Sequence, residues 1–253
     1  MIRNLFRKRP REDVLPRVPD GERVYAIGDI HGRIDLLNDI LARIDADDAK
    51  RPPAQTHLIL LGDLLNRGPA SAEVIDRLVR LRNAAADVRV LMGNHEEVFL
   101  RGLDGNVPAL RLLLKIGGAA TLLSYGVTQE QYDTCNFSEL LAVLDTLVPV
   151  SHRRFLAGLE DMIEIGDYLF VHAGIRPGMQ FIEQVPADLR WMREPFLSSK
   201  ADHGKVVVHG HNISIKPEIR ANRIGIDTGA YVSGRLTALG LQGTEQWFLT
   251  TGE

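Results

Sequence analysis

Five polar clusters, each directly after a short apolar run, constrain the fold of this sequence most strongly. Each cluster combines glycine with aspartate, histidine or asparagine. Runs rich in β-branched and aliphatic residues predict buried strands, and ligands of open α/β sheets bind outside the carboxyl ends of such strands. Five strand ends of this kind are typical of a metal site and not of a hydrophobic core. The clusters are Gly28–Gly32, Gly62–Gly68, Gly93–Glu96, His172–Gly174 and His209–His211.

Apolar residues recur at strand spacing and at helix spacing in alternating segments, which predicts an α/β fold. Strands are expected over 23–28, 57–62, 88–93, 168–171, 205–208 and 224–226. Helices are expected over 34–46 and 70–82, and a closing hairpin over 235–249. The segment from Glu96 to about Ile163 is rich in leucine and has little strand character, so we expect a helical insertion there.

Length and composition favour a single domain over residues 21–253, with the helical insertion at about 97–165. The chain has 253 residues, of which 45% are hydrophobic, enough for a sizeable core. Its 30 basic and 33 acidic residues give a net charge of −3. The sequence therefore lacks the basic excess that is typical of nucleic-acid-binding proteins. Residues 1–20 form a basic arm, which we expect to be disordered.

Cysteine usage and hydropathy indicate a cytoplasmic protein. A single cysteine, Cys135, excludes an intramolecular disulfide. The basic start is not followed by the apolar run of about 7–15 residues that a secretory signal needs. No stretch approaches the roughly 18–20 apolar residues of a membrane span. We therefore expect no stable membrane association, whereas the sequence leaves the oligomeric state open.

The side chains of the clusters indicate the chemistry of the metal site. They supply oxygen and nitrogen and no thiolate, which suits Mn²⁺, Fe or Zn²⁺ better than a structural cysteine-type zinc site. Two divalent ions about 3.5–4 Å apart would clamp the attacking and leaving oxygens of a phosphoryl displacement. Such a pair needs a shared carboxylate, for which Asp63 is the natural candidate. The residues therefore predict two-metal hydrolysis of phosphate esters, with Mn²⁺ as the first choice.

The ordered motifs resemble the PPP-type metallophosphoesterases, the family of bacterial and eukaryotic serine/threonine protein phosphatases. The resemblance runs from about Arg23 to Leu239 and rests on GDIHG, GDLLNRG, GNHE, HAG, HGH and IDTGAYVSGRLTAL in that order. It implies a calcineurin-like metallophosphoesterase β-sandwich flanked by helices, with the metals at one edge. It also implies a phosphoprotein or small phosphate-ester substrate, with a serine/threonine phosphoprotein as the first expectation.

The resemblance implies a ligand set for each of two metals. The first metal would be held by Asp29, His31 and Asp63. The second metal would be held by Asp63, Asn94, His172 and His211. Asp63 would thus belong to both sites.

The resemblance also implies which side chains bind substrate and move protons. Arg67 and Arg193 would grip the phosphate, because a planar guanidinium matches two phosphate oxygens, and Asn94 would contact it too. His95 would donate a proton to the leaving oxygen. Asn66 stands where the phosphatase pattern has an aspartate that orients this histidine. An asparagine can accept a hydrogen bond from the imidazole but carries no charge, so we expect a weaker acid.

Asn66 keeps two alternatives to a protein phosphatase open. Symmetrical diadenosine tetraphosphate hydrolases, a related branch, also lack a carboxylate at that position. Their third motif usually ends in aspartate where this chain has Glu96, and their counterpart of Trp191–Phe196 differs, which favours the protein-phosphatase branch. The second alternative is a weakly active phosphate-binding pseudoenzyme. The complete set of implied ligands, together with His95, argues against it.

Two further polar residues at strand ends have open interpretations. Asp227 follows a predicted strand and fits either a supporting role beside a ligand or ordinary Asp-Thr-Gly turn formation. His209 lies two residues from His211, so both could face the site, although the family pattern favours His211 as the ligand.

Overall fold

Two five-stranded sheets pack face to face in the computed structural model, which describes residues 15–84 and 87–252. The strands are β1 Glu22–Ile27, β2 Gln55–Leu60, β3 Val88–Val90, β4 Met162–Ile165, β5 Tyr168–Val171, β6 Val206–His209, β7 Glu218–Ile219, β8 Arg223–Gly225, β9 Thr237–Gln242 and β10 Glu245–Thr250. The first sheet has the order β10-β9-β1-β2-β3 and the second β4-β5-β6-β8-β7. Both sheets mix parallel and antiparallel pairs.

The alternation within β1 shows why the sheets pack in this way. Val24 and Ala26 point into the core between the two sheets, whereas Tyr25 and Ile27 point to the opposite face of the first sheet. That face is covered by helices α1 Ile34–Asp48 and α2 Ser71–Ala84. Because both faces of β1 are buried, the strand appears in sequence as a nearly continuous apolar run. The predicted α/β sandwich flanked by helices is confirmed.

The leucine-rich segment forms six helices. They are α3 Asn94–Leu103, α4 Val107–Lys115, α5 Gly118–Ser124, α6 Gln129–Thr134, α7 Phe137–Leu147 and α8 Val150–Ala157. The expected insertion end at 165 is wrong, because β4 is a strand that pairs antiparallel with β5 across a turn at Gly166. Over the described residues, no single helix has the length and apolarity to cross a membrane. Only α4 and α5 taken together, with a 101° bend between them, meet those criteria.

The end of the chain follows the predicted hairpin. β9 and β10 pair antiparallel, from Thr237 opposite Thr250 to Gln242 opposite Glu245. Between β5 and β6 lie a short 3-10 helix, Phe181–Glu183, and helix α9, Pro186–Trp191. Helix α10, Ala230–Ser233, precedes β9.

The expected disordered arm over residues 1–20 needs a correction at its carboxyl end. Residues 1–14 lie outside the described part of the chain. Beyond them, Val18 is fully buried between the two sheets, and its N–H donates to the Gly243 carbonyl at 2.9 Å. The Arg17 N–H donates to the Asp167 carboxylate at 2.9 Å. Burial of one valine and these two hydrogen bonds fix this stretch against the sandwich.

Candidate active site

The polar clusters meet at one place, where the backbone adopts an unusual conformation. Among the described residues, five that are not glycine have a positive φ, and all lie in the clusters: His31, Asp63, Asn66, Arg67 and His211. Side chains rarely adopt this left-handed region, and strained backbone collects at functional sites. The concentration of strain here marks the clusters as one functional unit.

A buried carboxylate builds the turn after β2. Glu96 is fully buried, and its Oε1 accepts hydrogen bonds from the N–H groups of Leu64 at 2.8 Å and Leu65 at 3.1 Å. Its Oε2 accepts from the N–H groups of Asp63 at 2.8 Å and Gly93 at 3.0 Å. Four backbone donors therefore converge on one side chain. Glu96 therefore fixes the loop that carries Asp63.

Two groups of ligand-type atoms share Asp63. His31, Asp63 and His95 form one group, and Asp63, His172 and His211 form the other, with the atoms of each group within 4.8 Å of one another. His31 Nδ1 lies 2.8 Å from the Leu65 carbonyl oxygen, and His172 Nδ1 lies 2.8 Å from that of Leu61. Each carbonyl accepts the Nδ1–H, so the lone pair of Nε2 faces the site.

Asp29 lies beside these groups and is positioned by the backbone of the HGH motif. The His211 N–H contacts both carboxylate oxygens of Asp29, at 3.0 and 3.2 Å. Gly210 lies against the same carboxylate, and a Cβ there would overlap Asp29 Oδ1. Asp227 is also buried beside Asp29, and its Oδ1 accepts the Gly229 N–H at 2.9 Å. Asp227 thus both closes a turn and faces a candidate ligand.

The protonation equilibria of the buried carboxyl and imidazole groups in this pocket favour the binding of cations. Burial, and then the neighbouring Asp227 and Asp63, raise the pKa of the Asp29 carboxyl well above its usual range. Burial raises the pKa of Asp63 to about 7. Burial lowers the pKa of His31 to about 3 and of His172 to about 4, so both imidazoles are neutral. Crowded carboxylates among neutral imidazoles are the donor set that divalent cations bind, so these residues fit two metal ions.

The remaining predicted site residues also lie here. Asn94 Oδ1 is 3.1 Å from His172 Nε2. Arg67 Nη1 lies 2.9 Å from His31 Nε2, and its Nη2 lies 3.3 Å from His95 Nε2. Arg193 Nε lies 3.5 Å from His211 Nε2. Both guanidinium groups are therefore at the site, one beside each group of ligand atoms.

The contact between Asn66 and His95 differs from the expected one. The amide Nδ2 of Asn66, not its oxygen, lies 2.6 Å from His95 Nδ1. The Asn66 oxygen instead accepts a hydrogen bond from the Thr121 hydroxyl at 2.7 Å. An amide N–H directed at Nδ1 and a guanidinium N–H facing Nε2 both favour a neutral ring. Burial, followed by nearby His31 and Arg67, also lowers the pKa of His95.

Comparison with known proteins assigns the family. The profile of the calcineurin-like phosphoesterases matches residues 22–236. The chain belongs to this family. Members are metal-dependent phosphoesterases, so the expected fold and enzyme class are confirmed at that level. The relatives of this phosphoesterase do not support the narrower resemblance to serine/threonine protein phosphatases.

Several curated relatives share one description. Symmetrical bis(5'-nucleosyl)-tetraphosphatases of Aromatoleum aromaticum and Methylococcus capsulatus are 32% and 33% identical to this phosphoesterase over 155 and 154 residues. Each match covers 61% of this chain but only 45% and 44% of the relatives. The chain therefore spans less than half the length of the curated relatives it matches.

Solved structures support the fold of this phosphoesterase. A candidate diadenosine tetraphosphatase matches with a TM-score of 0.65 at 21% identity, covering 94% of this chain and 99% of that one. A cold-active protein-tyrosine phosphatase from Shewanella matches with a TM-score of 0.57 at 19% identity, covering 92% and 83%. At such low identity these matches show the shared fold alone.

The sequence analysis did not identify three side chains of the site. Ser71 and Thr121 are fully buried against Asn66. The ring of Tyr231 lies under the Arg67 guanidinium at 4.6 Å and packs edge-on against His31. Tyr231 belongs to the IDTGAYVSG motif, so its place directly after a strand-end cluster was a usable signal. Thr121 had no such signal.

Proposed function

We propose that this phosphoesterase hydrolyses the phosphoanhydride bonds of dinucleoside polyphosphates, using two divalent metal ions. The contact of Asn66 Nδ2 with His95 Nδ1 at 2.6 Å carries the proposal. It favours a neutral His95 and so a weak acid. A serine alkoxide leaves poorly without a proton, whereas a nucleoside diphosphate leaves with little help. The site is therefore better suited to anhydrides than to phosphoserine.

The ligand residues divide between two metals that share Asp63. Asp29 and His31 would complete the first site, and Asn94, His172 and His211 the second. When bound, such a pair polarises the phosphoryl oxygens and lowers the pKa of water. We propose Mn²⁺ for both positions, with Fe or Zn²⁺ as alternatives, since the donor set suits all three.

Two exposed arginines suit a substrate with several phosphates. Arg67 and Arg193 are both exposed to solvent while their guanidinium groups reach the histidines at the site. Guanidinium groups bind phosphate oxygens in pairs. Two of them, on different sides of the ligand cluster, can neutralise two phosphates of one chain. The small phosphate-ester substrate anticipated from the sequence is consistent with this arrangement.

The relatives support the same choice of substrate. Those at 32% and 33% identity are named for symmetrical cleavage of bis(5'-nucleosyl) tetraphosphates. The names of these relatives support a symmetrical diadenosine tetraphosphate hydrolase, the alternative in the sequence analysis, better than a serine/threonine phosphoprotein phosphatase, which was the first expectation.

A substrate panel tests the proposal. Protein reconstituted with Mn²⁺ is assayed with diadenosine tetraphosphate, a phosphoserine peptide and p-nitrophenyl phosphate, and kcat/KM is compared. We expect kcat/KM for the tetraphosphate to exceed that for the peptide by about 100-fold. General acid catalysis contributes about 10²–10⁴-fold, and a weak acid loses much of that contribution on the peptide. A peptide hydrolysed as fast as the tetraphosphate contradicts the proposal. Activity on none of the three would indicate a binding protein.

Asn66→Asp should raise activity on a phosphoserine peptide by about tenfold, because a charged partner favours the imidazolium form of His95. A carboxylate would accept the Nδ1–H in place of the amide that now donates at 2.6 Å. Turnover of p-nitrophenyl phosphate should change less, since its leaving group needs little protonation. The measurement is kcat for both substrates in both proteins. Equal acceleration of both would instead indicate an effect on Arg67 or the metals.

A further inference from the structure

An exposed tryptophan, Trp191, lies beside the ligand cluster at the end of α9. It is 37% exposed, although tryptophan is among the side chains that are most buried on average. The end of α9 is held against the HAG motif, because the Ala173 N–H donates to the Leu189 carbonyl at 2.8 Å. Two residues beyond the tryptophan, the Arg193 guanidinium lies at the second group of ligand atoms. The exposed indole is therefore on the rim of the site.

Hydrogen bonding fixes the orientation of this indole. Its Nε1–H donates to Glu97 Oε2 at 3.0 Å. Glu97 lies on α3, three residues after Asn94, and it forms ion pairs with Arg190 and Arg101, each at 3.5 Å. The polar edge of the ring is thus satisfied within the protein, and the surface that it offers to a ligand is apolar. A ring that is already fixed loses little conformational entropy when a ligand stacks on it.

The ring faces of Trp191 differ from those of two other aromatic side chains. Arg51 lies 3.4 Å over the ring of Trp247, and Arg67 lies 4.6 Å over that of Tyr231. Within residues 15–84 and 87–252, no aromatic or cationic group stacks on Trp191 in this way. A fixed ring of this kind suits a planar π-system, and every nucleobase can stack on an aromatic side chain.

We propose that Trp191 binds one nucleobase of the substrate by stacking, while Arg193 binds an adjoining phosphate. Met192, between them, is buried and has an extended backbone, with φ −60° and ψ 136°, whereas both neighbours are exposed. Two residues of extended chain span at most about 7 Å. The ribose that joins a base to its first phosphate bridges a comparable gap. The proposal rests on the proposed function in one respect, that the substrate carries a base next to its phosphates.

A structural role for Trp191 makes a different prediction. If the indole only fixed Glu97 and, through Arg190, the end of α9, its loss would displace Arg193. Every phosphate ligand would then bind more weakly, with or without a base. If a base stacks on the ring, only ligands that carry a base are weakened.

Two ligands that differ only in the adenosine separate these roles. Methylenediphosphonate and adenosine 5'-(α,β-methylene)diphosphate are titrated calorimetrically into the Mg²⁺-loaded full-length protein. We expect the adenosine to tighten Kd about tenfold or more in the natural sequence, the range of base–aromatic stacking. Trp191→Leu should abolish this gain and leave Kd for methylenediphosphonate within about twofold, whereas Trp191→Phe should retain most of the gain. No gain in the natural sequence, an undiminished gain in Trp191→Leu, or equal weakening of both ligands would overturn the proposal.

Hydrolysis of diadenosine tetraphosphate with Mn²⁺ gives a second readout. Trp191→Leu should raise KM about tenfold with kcat within about threefold, because stacking stabilises the bound substrate and the transition state alike. The matched control is Trp247→Phe at the second tryptophan, on β10, which should leave both constants unchanged. A loss confined to kcat would overturn the stacking role. Failure of the natural protein to hydrolyse the tetraphosphate would instead overturn the proposed substrate, and the calorimetric comparison would still decide whether a base binds at Trp191.

Discussion

Asp63→Asn should remove most of the bound metal and lower kcat/KM for p-nitrophenyl phosphate by about 10³-fold, equivalent to roughly 4 kcal/mol. Asp63 belongs to both groups of ligand atoms. An amide oxygen lacks the charge that would bridge two cations, so one substitution weakens both sites at once. Elemental analysis after Mn²⁺ reconstitution gives the stoichiometry, and initial rates give the activity.

The matched control for Asp63 is Asp39→Asn, which removes a charge from the exposed side of α1. It should retain both metal ions and full activity. A thermal melt of each variant separates loss of metal from loss of folding. Two metal ions per chain in Asp63→Asn, or more than about a tenth of the original activity, would contradict a shared bridging carboxylate.

Glu96→Gln should lower the free energy of unfolding by about 3 kcal/mol or more, because buried donors left without an acceptor cost about 1–3 kcal/mol each. The carboxylate accepts four backbone N–H groups, two at each oxygen. A glutamine keeps one oxygen and turns an NH₂ group toward the other two donors. Urea unfolding followed by circular dichroism measures the difference.

Glu73→Gln is the comparison for Glu96, since Glu73 is exposed in the first turn of α2. Its effect should stay within about 0.5 kcal/mol. If both substitutions cost the same small amount, the four N–H groups have another way to be satisfied. The metal content of Glu96→Gln should fall as well, because the loop that it holds carries Asp63.

The site was predictable because its residues sit at strand ends. Residue type and position after an apolar run are both visible in sequence, and parallel strands bring such ends together. Asp29, His31, Asp63, His172 and His211 follow that rule, and the structure brings them into contact. Their roles as ligands remain proposals that the metal analyses test.

The parts that escaped prediction depend on contacts between distant segments. Thr121 lies 55 residues from Asn66 in the chain. The periodicity of α5 does not predict that this threonine is buried or that its hydroxyl contacts the site. Strand β4 has only four residues, too few for alternation to outweigh the leucine-rich helices before it. Val18 packs into the core between the two sheets. The basic composition of the segment around it predicts a solvent-exposed arm instead.

The orientation of the Asn66 amide illustrates the same limit in chemical terms. Sequence shows that the carboxylate of the phosphatase pattern is missing. It does not show whether the amide accepts from His95 or donates to it, because the Thr121 hydroxyl that donates to the amide oxygen lies on another helix. The difference matters, since a donated N–H leaves the histidine neutral.

The most direct test of the central claim is to identify the products of diadenosine tetraphosphate hydrolysis in ¹⁸O-labelled water. Attack of water on an inner phosphate, with a nucleoside diphosphate leaving, should yield two ADP molecules per substrate and one heavy oxygen per turnover. Metal-reconstituted protein that releases ATP and AMP would contradict the proposed cleavage. Protein that leaves the tetraphosphate intact while hydrolysing a phosphoserine peptide would contradict the proposed function itself.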